Sequence, residues 1–115
     1  MRYAALIIAL AVALSALGSE RPPVTLRVSP HVMFPGAALH VEASIQPHAE
    51  NRWLILEATP DLAVSESSLE GMKGPRFFRR QWIAGEPGEY LIHVRVLDGR
   101  RQLRAYAQQR IVVSE

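Results

Sequence analysis

The chain contains few residue types that could perform catalysis, and they do not occur at catalytic spacing. Its four histidines are scattered without metal-ligand spacing, at His31, His40, His48 and His93. A zinc site in a protein needs three or four converging ligands, so we predict no metal site. Cysteine is absent, which excludes a cysteine nucleophile and a disulfide.

The serines and the acidic residues also lack a catalytic setting. Ser65, Ser67 and Ser68 lie outside any Gly-x-Ser-x-Gly motif, the turn that exposes the nucleophile in hydrolases of the α/β type. Glu86 and Glu89 flank a turn, whereas glycoside hydrolysis needs two carboxyl groups on facing walls of a cleft. The sequence therefore predicts no catalytic residue, no cofactor and no enzymatic activity.

Polar and basic residues between the predicted strands are the remaining candidates for a site. The candidate contact residues are His48, Glu50, Asn51, Arg52, Lys73, Arg100 and Arg101. Arginine recognises carboxylate and phosphate groups through a planar set of donors, and loops on a rigid scaffold often carry recognition. We predict that these loops share one end of a sandwich and contact a protein, an anionic glycan or a phosphate group. The alternative is that the charges only solvate the turns.

Segment 76–82 is a second candidate because it combines aromatic and basic side chains. Strand alternation places Phe78, Arg80 and Trp82 on one face and Phe77 on the other, so the set cannot form one stacking platform. We expect aromatics over the core and arginines at the rim. One of Phe77 and Phe78 should be partly exposed. As an alternative, the exposed phenylalanine forms part of an apolar patch that contacts a partner.

The charge balance does not favour nucleic acid as a partner. The chain carries 13 Lys and Arg against 11 Asp and Glu, a formal net charge of +2 at pH 7. Nucleic-acid-binding domains concentrate a much larger basic excess on one face. We therefore predict no nucleic-acid binding.

The N-terminus has the pattern of an export signal. Arg2 precedes an apolar run at 4–17, which ends in small residues at Ala16 and Gly18. This run is short for a bilayer span, which needs about 20 apolar residues, and small residues before the cut suit signal peptidase. We predict a signal peptide at 1–18, one domain at 19–115, a periplasmic or secreted location, and only transient membrane contact. An uncleaved anchor is the alternative.

The rest of the chain alternates apolar and polar residues with a period of two, which is typical of half-buried strands. Val24 to Val28 and Leu39 to Ile45 show it clearly, with a turn at Pro35-Gly36 between them. Segment 53–58 is ambiguous, because either Trp53 or the alternate set that starts at Leu54 could face the core. The pattern predicts an all-β protein.

The last two strands allow a prediction of register. Asp98-Gly99 is a strong signal for a two-residue hairpin turn, which would pair Leu97 with Arg100. The facing pairs would then be Val94 with Leu103, Ile92 with Ala105, and Tyr90 with Ala107.

Segment 86–96 resembles the next-to-last strand of immunoglobulin-like and fibronectin-type domains, where a Gly-x-Tyr pattern opens the strand. Gly88 and Tyr90 match that pattern, and the turn at Pro35-Gly36 is similar to the family as well. The resemblance implies an immunoglobulin-like antiparallel β-sandwich of about seven strands, preceded by a signal-peptide helix. It also implies a tyrosine corner at Tyr90. Segment 47–52 is similar to one in small exported bacterial proteins of unassigned role.

These observations predict an exported, non-catalytic binding or accessory module that acts through protein or glycan contacts. One alternative is a periplasmic structural or assembly subunit that pairs its edge strands with another chain. Another is a carrier of a small ligand or a metal.

Overall fold

A computed structural model describes residues 22–115, and these residues form strands and turns without a helix. The eight strands are β1 (Val24–Ser29), β2 (Val32–Met33), β3 (Ala38–Ile45), β4 (Trp53–Thr59), β5 (Ala63–Ser68), β6 (Phe77–Ile83), β7 (Gly88–Leu97) and β8 (Leu103–Val113). The predicted signal peptide at 1–18 lies outside the described residues. None of residues 22–115 belongs to a helix that could span a bilayer.

The strands form two sheets, as a β-sandwich requires. One sheet has the order β1-β3-β6, and the other has the order β2-β8-β7-β4-β5. All pairings are antiparallel except that of β2 with β8. The chain thus changes sheets between β1 and β2, at Pro30, which has no N–H to continue a ladder.

Alternate side chains from both sheets fill the space between them. The largest fully buried side chains are Leu39, Val41, Leu54, Leu56, Ile92, Val94, Val96, Ile111 and Val113. Segment 53–58 uses the frame in which Leu54 and Leu56 face the core, while Trp53 lies half-buried on the outer face. The period-two pattern of the sequence therefore identifies the core, and the structure resolves its one ambiguity.

The predicted register of the β7–β8 hairpin is wrong by four residues from Tyr90 to Val96 and by three at Leu97, where the pairing is irregular. Leu97 pairs with Leu103, and Val94 faces Ala107 rather than Leu103. The turn is longer because the Asp98 carboxylate accepts bonds from the backbone N–H groups of Arg100 and Gln102, each at 2.9 Å. A shift by an even number of residues leaves side chains on their predicted face, so Ala107 still points inward. Leu103 lies beyond the irregularity and is 58% exposed, against the prediction that it faces Val94.

Strand β6 closes one side of the sandwich with a half-buried arginine. Phe78 is buried and Phe77 is 57% exposed, which confirms that one of the two is exposed. Arg80 points between the sheets, where its Nε and Nη2 donate to the hydroxyls of Ser65 and Ser67 at 2.8 and 3.2 Å. The expectation of arginines at the rim is therefore wrong for Arg80.

Candidate functional site

Three loops meet at one end of the sandwich, as the sequence predicted. The loop end comprises segments 46–52, 69–76 and 98–102. The Gly71 N–H donates to the Asn51 carbonyl at 3.0 Å, and the Leu69 N–H donates to the Arg52 carbonyl at 2.7 Å. The Arg52 N–H donates in turn to the Leu97 carbonyl at 2.9 Å, beside the third loop. Backbone hydrogen bonds thus hold the three loops in one surface.

Asn51 is the centre of this arrangement and does not face solvent. Its residue is 3% exposed. Its Nδ2 donates to the Gln46 carbonyl at 3.1 Å, and its Oδ1 accepts from Nη1 of Arg104 at 2.8 Å. The prediction that Asn51 contacts a ligand is therefore wrong, because a buried side chain whose two polar groups are both bonded cannot reach a ligand.

Arg52 is exposed but partly anchored to its own loop. Its Nη1 donates to the carbonyls of Ala49 and Asn51, at 2.7 and 2.8 Å. Gly71 packs against the same guanidinium, since a Cβ built on it would lie 3.1 Å from that nitrogen. The Nε and Nη2 of Arg52 make no hydrogen bond with residues 22–115.

Arg101 is held on the outer face of the larger sheet rather than at the tip. Its backbone is left-handed, with φ at +61°. Its Nη2 bonds Glu66 at 2.9 Å, and its guanidinium carbon lies 4.9 Å from the centre of the Trp53 ring. The guanidinium of Arg101, a predicted contact residue, is therefore already engaged by a carboxylate and an aromatic ring.

Two of the three acidic residues of the loop end, Glu50 and Asp98, have internal partners. Glu50 lies 3.7 Å from Nε of Arg104, and the backbone N–H of Glu50 donates to Nδ1 of the exposed His48 at 3.1 Å. Asp98 accepts the two turn bonds described above. These carboxylates are therefore committed to the scaffold.

Four cations of the loop end lack such a counter-charge. Within residues 22–115, no carboxylate lies within 4.0 Å of the cationic nitrogens of Arg52, Lys73, Arg76 or Arg100. All four residues are exposed. A shallow hollow between the first and third loops has only polar or glycine lining, formed by Glu50, Arg52, Asp98, Gly99, Arg100 and Gln102. This arrangement can accept an anionic group.

The two ends of the sandwich differ in charge. The loop end carries five basic and three acidic residues: Arg52, Lys73, Arg76, Arg100 and Arg101 against Glu50, Glu70 and Asp98. The opposite end comprises segments 30–31, 34–37, 60–62, 84–87 and 114–115, and it carries three acidic residues and no Lys or Arg. The described sandwich is therefore electrically polarised along its strands.

The sequence did not single out a polar cluster on the outer face of the larger sheet. Nε2 of His93 and Nη2 of Arg95 lie 3.3 and 3.7 Å from the same oxygen of Glu57. The Nδ1 of His93 and the Nε of Arg95 are buried without a hydrogen-bond partner among the described residues. Only the register of β4 against β7 brings these residues together, and single-strand alternation does not reveal that register.

The side chain of Tyr90 stands at the other end of the sandwich from the loops. The residue is 8% exposed, and its hydroxyl donates to the Glu86 carbonyl at 2.9 Å. This bond ties the start of β7 to the turn before it, the geometry expected of a tyrosine corner.

The described residues do not assemble a metal-binding donor set. Within 22–115, no three or more His, Asp or Glu residues lie close enough to share an ion. The histidines occupy separate elements, with His40 on β3, His48 in a loop and His93 on β7.

No family model and no curated protein matches the chain. Solved structures do match. A superoxide reductase (neelaredoxin) from Ignicoccus hospitalis is 13% identical, with 79% of this chain and 80% of that one covered and a TM-score of 0.60. A variant of that protein gives 13% identity, 84% coverage of both chains and a TM-score of 0.62. The CARDB domain of the PF1109 protein from Pyrococcus furiosus, in complex with di-metal ions, gives 16% identity, coverage of 81% and 94%, and a TM-score of 0.50.

These comparisons correct the functional prediction. A sandwich of this shape occurs in a superoxide reductase, which is an enzyme, so the fold is no ground for a non-catalytic role. The prediction of a non-catalytic binding or accessory module is therefore wrong. At 13% identity the likeness concerns the fold alone. The chain is a β-sandwich similar in fold to superoxide reductases and to a CARDB domain.

Proposed function

We propose that the chain is an exported protein with an immunoglobulin-like sandwich, and that its loop end binds anionic groups of a partner. Anion binding at this end is independent of any catalytic centre elsewhere in the sandwich. The observation that carries the proposal is the exposure of Arg52, Lys73 and Arg100 without a counter-charge among the described residues.

The strand order supports the immunoglobulin-like assignment. Constant-type immunoglobulin sandwiches place their first, second and fifth long strands in one sheet and their third, sixth and seventh in the other. Apart from the short β2, this chain does the same, with β1, β3 and β6 against β4, β7 and β8. The chain departs from that arrangement at its fourth long strand, β5, which joins the second sheet, whereas the constant-type fourth strand lies in the first. The bond from Tyr90 to Glu86 supports the assignment further.

The apolar run at 4–17 and the small residues Ala16 and Gly18 support export. We therefore place residues 1–18 as a signal peptide and 19–115 as the exported domain.

The hollow between the first and third loops favours an anionic group over an apolar one. Protein interfaces usually depend on buried aromatic or aliphatic anchors, whereas the lining of the hollow near Arg52 and Arg100 contains no apolar side chain. The matching chemistry is a carboxylate, sulfate or phosphate group, of the kind that glycans, acidic proteins and phospholipids present.

The test neutralises two cations of the loop end and compares a matched control. In Lys73→Gln with Arg100→Gln, the anchored Arg52 and the paired Arg101 stay intact. Exposed cation–anion contacts are worth about 0.5–1 kcal/mol each, so binding to a sulfated polysaccharide at low salt should weaken roughly tenfold.

The control is Arg27→Gln with Arg110→Gln, which has the same net charge and changes two exposed arginines outside the loop end. It should bind almost as the parent does. Equal weakening in both double variants would show a response to overall charge and would overturn the proposed site.

A further inference from the structure

We propose that the anionic partner of the loop end is the surface of a lipid bilayer that contains anionic phospholipid. This inference rests on the proposed anion binding and identifies what presents the anionic groups. It replaces the sequence-based expectation that the chain meets the membrane only transiently. Three independent features of the described residues support it.

The first feature is the place where the chain joins the sandwich. The Gln46 N–H donates to the Pro23 carbonyl at 2.9 Å, and Val24 pairs with Ile45 at the end of β3. The start of β1 therefore lies at the loop end. Because residues 1–21 connect here, the loop end is the part of the sandwich that adjoins the apolar run at 4–17 during export, before the proposed cleavage after residue 18.

The second feature is an exposed apolar side chain at the tip of a cationic loop. Met72 is 64% exposed and stands between Gly71 and Lys73. An apolar side chain beside cations can enter the boundary between headgroups and acyl chains while the cations stay with the phosphates. Leu103, 58% exposed at the start of β8, lies just past the third loop.

The third feature is the polarity of the whole sandwich. The loop end has a basic excess, and the opposite end has only acidic charges. The field of an anionic leaflet attracts clustered Lys and Arg near its surface and repels carboxylates. A molecule with this distribution turns its loop end towards the bilayer as it approaches.

Phe34 provides a comparison within the chain. It is 75% exposed, but it lies at the opposite end, in a segment without Lys or Arg. If exposure alone governed membrane contact, Phe34 would contribute as much as Met72. If the cationic surface orients the molecule, only Met72 reaches the lipid.

The experiment uses a protein of residues 19–115. This protein lacks the apolar run and keeps the whole sandwich, because the core of the sandwich lies between Val24 and Val113. Sedimentation is measured with vesicles of phosphatidylcholine and with vesicles of equal parts phosphatidylcholine and phosphatidylglycerol. We expect binding to the second only. Raising the ionic strength from about 0.01 M to about 1 M, which shortens the screening length from about 30 Å to about 3 Å, should release the protein.

Variants locate the contact. Lys73→Gln with Arg100→Gln should lower partitioning about 25-fold, at about fivefold for each cation near an anionic surface. Met72→Ala should lower it several-fold, and Phe34→Ala should leave it unchanged. Equal effects of Met72→Ala and Phe34→Ala would overturn the proposed orientation.

A parallel binding measurement with a sulfated polysaccharide distinguishes failure of this inference from failure of the proposed function. Binding to the polysaccharide without binding to anionic vesicles would leave anion recognition intact and overturn the lipid source in favour of a glycan. Binding to an acidic polypeptide without binding to anionic vesicles would likewise overturn the lipid source, in favour of a protein that presents the anionic groups. Absence of binding in every arm would overturn both proposals.

Discussion

Asn51 shows how one buried amide can organise a surface. Its side chain joins the first loop to Arg104 of β8, and its carbonyl receives the N–H of Gly71 from the second loop. Burial strengthens these bonds, because a polar group left unpaired in the interior costs more than one exposed to water. The exposed Arg52 also donates to the Asn51 carbonyl, at 2.8 Å.

Replacement of Asn51 by alanine should destabilise the protein by about 2 kcal/mol, since it leaves the Gln46 carbonyl and the Arg104 guanidinium without their partner. For a domain of this size the midpoint of thermal unfolding should fall by about 10 °C. Calorimetry of both proteins measures this directly.

Gln102→Ala is the matched control. Gln102 also lies in the loop end, but it is exposed, and its hydrogen bonds within residues 22–115 involve only its backbone. Its replacement should change the midpoint by less than about 2 °C. Similar losses in the two variants would show that Asn51 has no special role.

Single residues are also where sequence interpretation reaches its limit in this chain. His48, Lys73 and Arg100 are exposed loop residues, as predicted. Asn51 has the same local signature, yet it is buried, because the groups that bury it come from distant parts of the chain. Arg101 is diverted by Glu66 and Trp53 for the same reason. Local composition cannot reveal partners that only the tertiary fold supplies.

At the scale of elements, contact between loops depends on one glycine. Gly71 has φ at +63°, and a Cβ there would lie 2.9 Å from the Ala49 carbonyl oxygen. A side chain at this position is disfavoured twice, by the left-handed backbone and by the close approach of the first loop. Glycine is therefore needed where segment 69–76 meets segment 46–52.

Gly71→Ala should lower the free energy of unfolding by about 2 kcal/mol, the sum of a left-handed alanine and a displaced carbonyl. It should also weaken anion binding, since it separates the first and second loops. Urea unfolding and polysaccharide binding check the two effects.

Gly85→Ala is the companion variant. A Cβ at Gly85 meets nothing within 4 Å, and its φ lies outside the left-handed region. This change should leave stability within about 0.5 kcal/mol of the parent or raise it slightly. A loss as large as that of Gly71→Ala would contradict the steric explanation.

The strands were predictable because their signal is local, whereas their pairing was not. Alternation in a single strand identifies which side chains face the core, and it placed Tyr90, Ile92 and Val94 correctly. The β7–β8 register depends on how Asp98 uses its carboxylate in the turn. Two turns with different lengths satisfy the same alternation, so the sequence could not choose between them.

At the scale of the whole molecule, the sequence predicts that a signal peptide is cleaved from the N-terminus. If residues 1–18 are a signal peptide, the protein recovered from the cell envelope or the medium should begin at Ser19. Intact-mass measurement and N-terminal sequencing determine this. A protein that retains Met1 and stays with the membrane in high salt would instead show that segment 4–17 is an anchor.

The fold class follows from the sequence at this scale, whereas the function does not. Short alternating segments and turns can bury enough apolar surface only as two facing sheets, and the described residues form two sheets. The absence of catalytic motifs suggested a non-catalytic role, but superoxide reductases have a similar sandwich. Fold and missing motifs together do not determine activity.

The half-buried Arg80 has a consequence for colloidal behaviour. Strands β5 and β6 are edge strands of the two sheets on the same side of the sandwich, and unprotected edges template intermolecular aggregation. The Arg80 guanidinium, bonded to Ser65 and Ser67, places an inward-pointing charge at that side. A second copy that extended either sheet at this side would have to bury this charge, so association through the β5 and β6 edges is disfavoured.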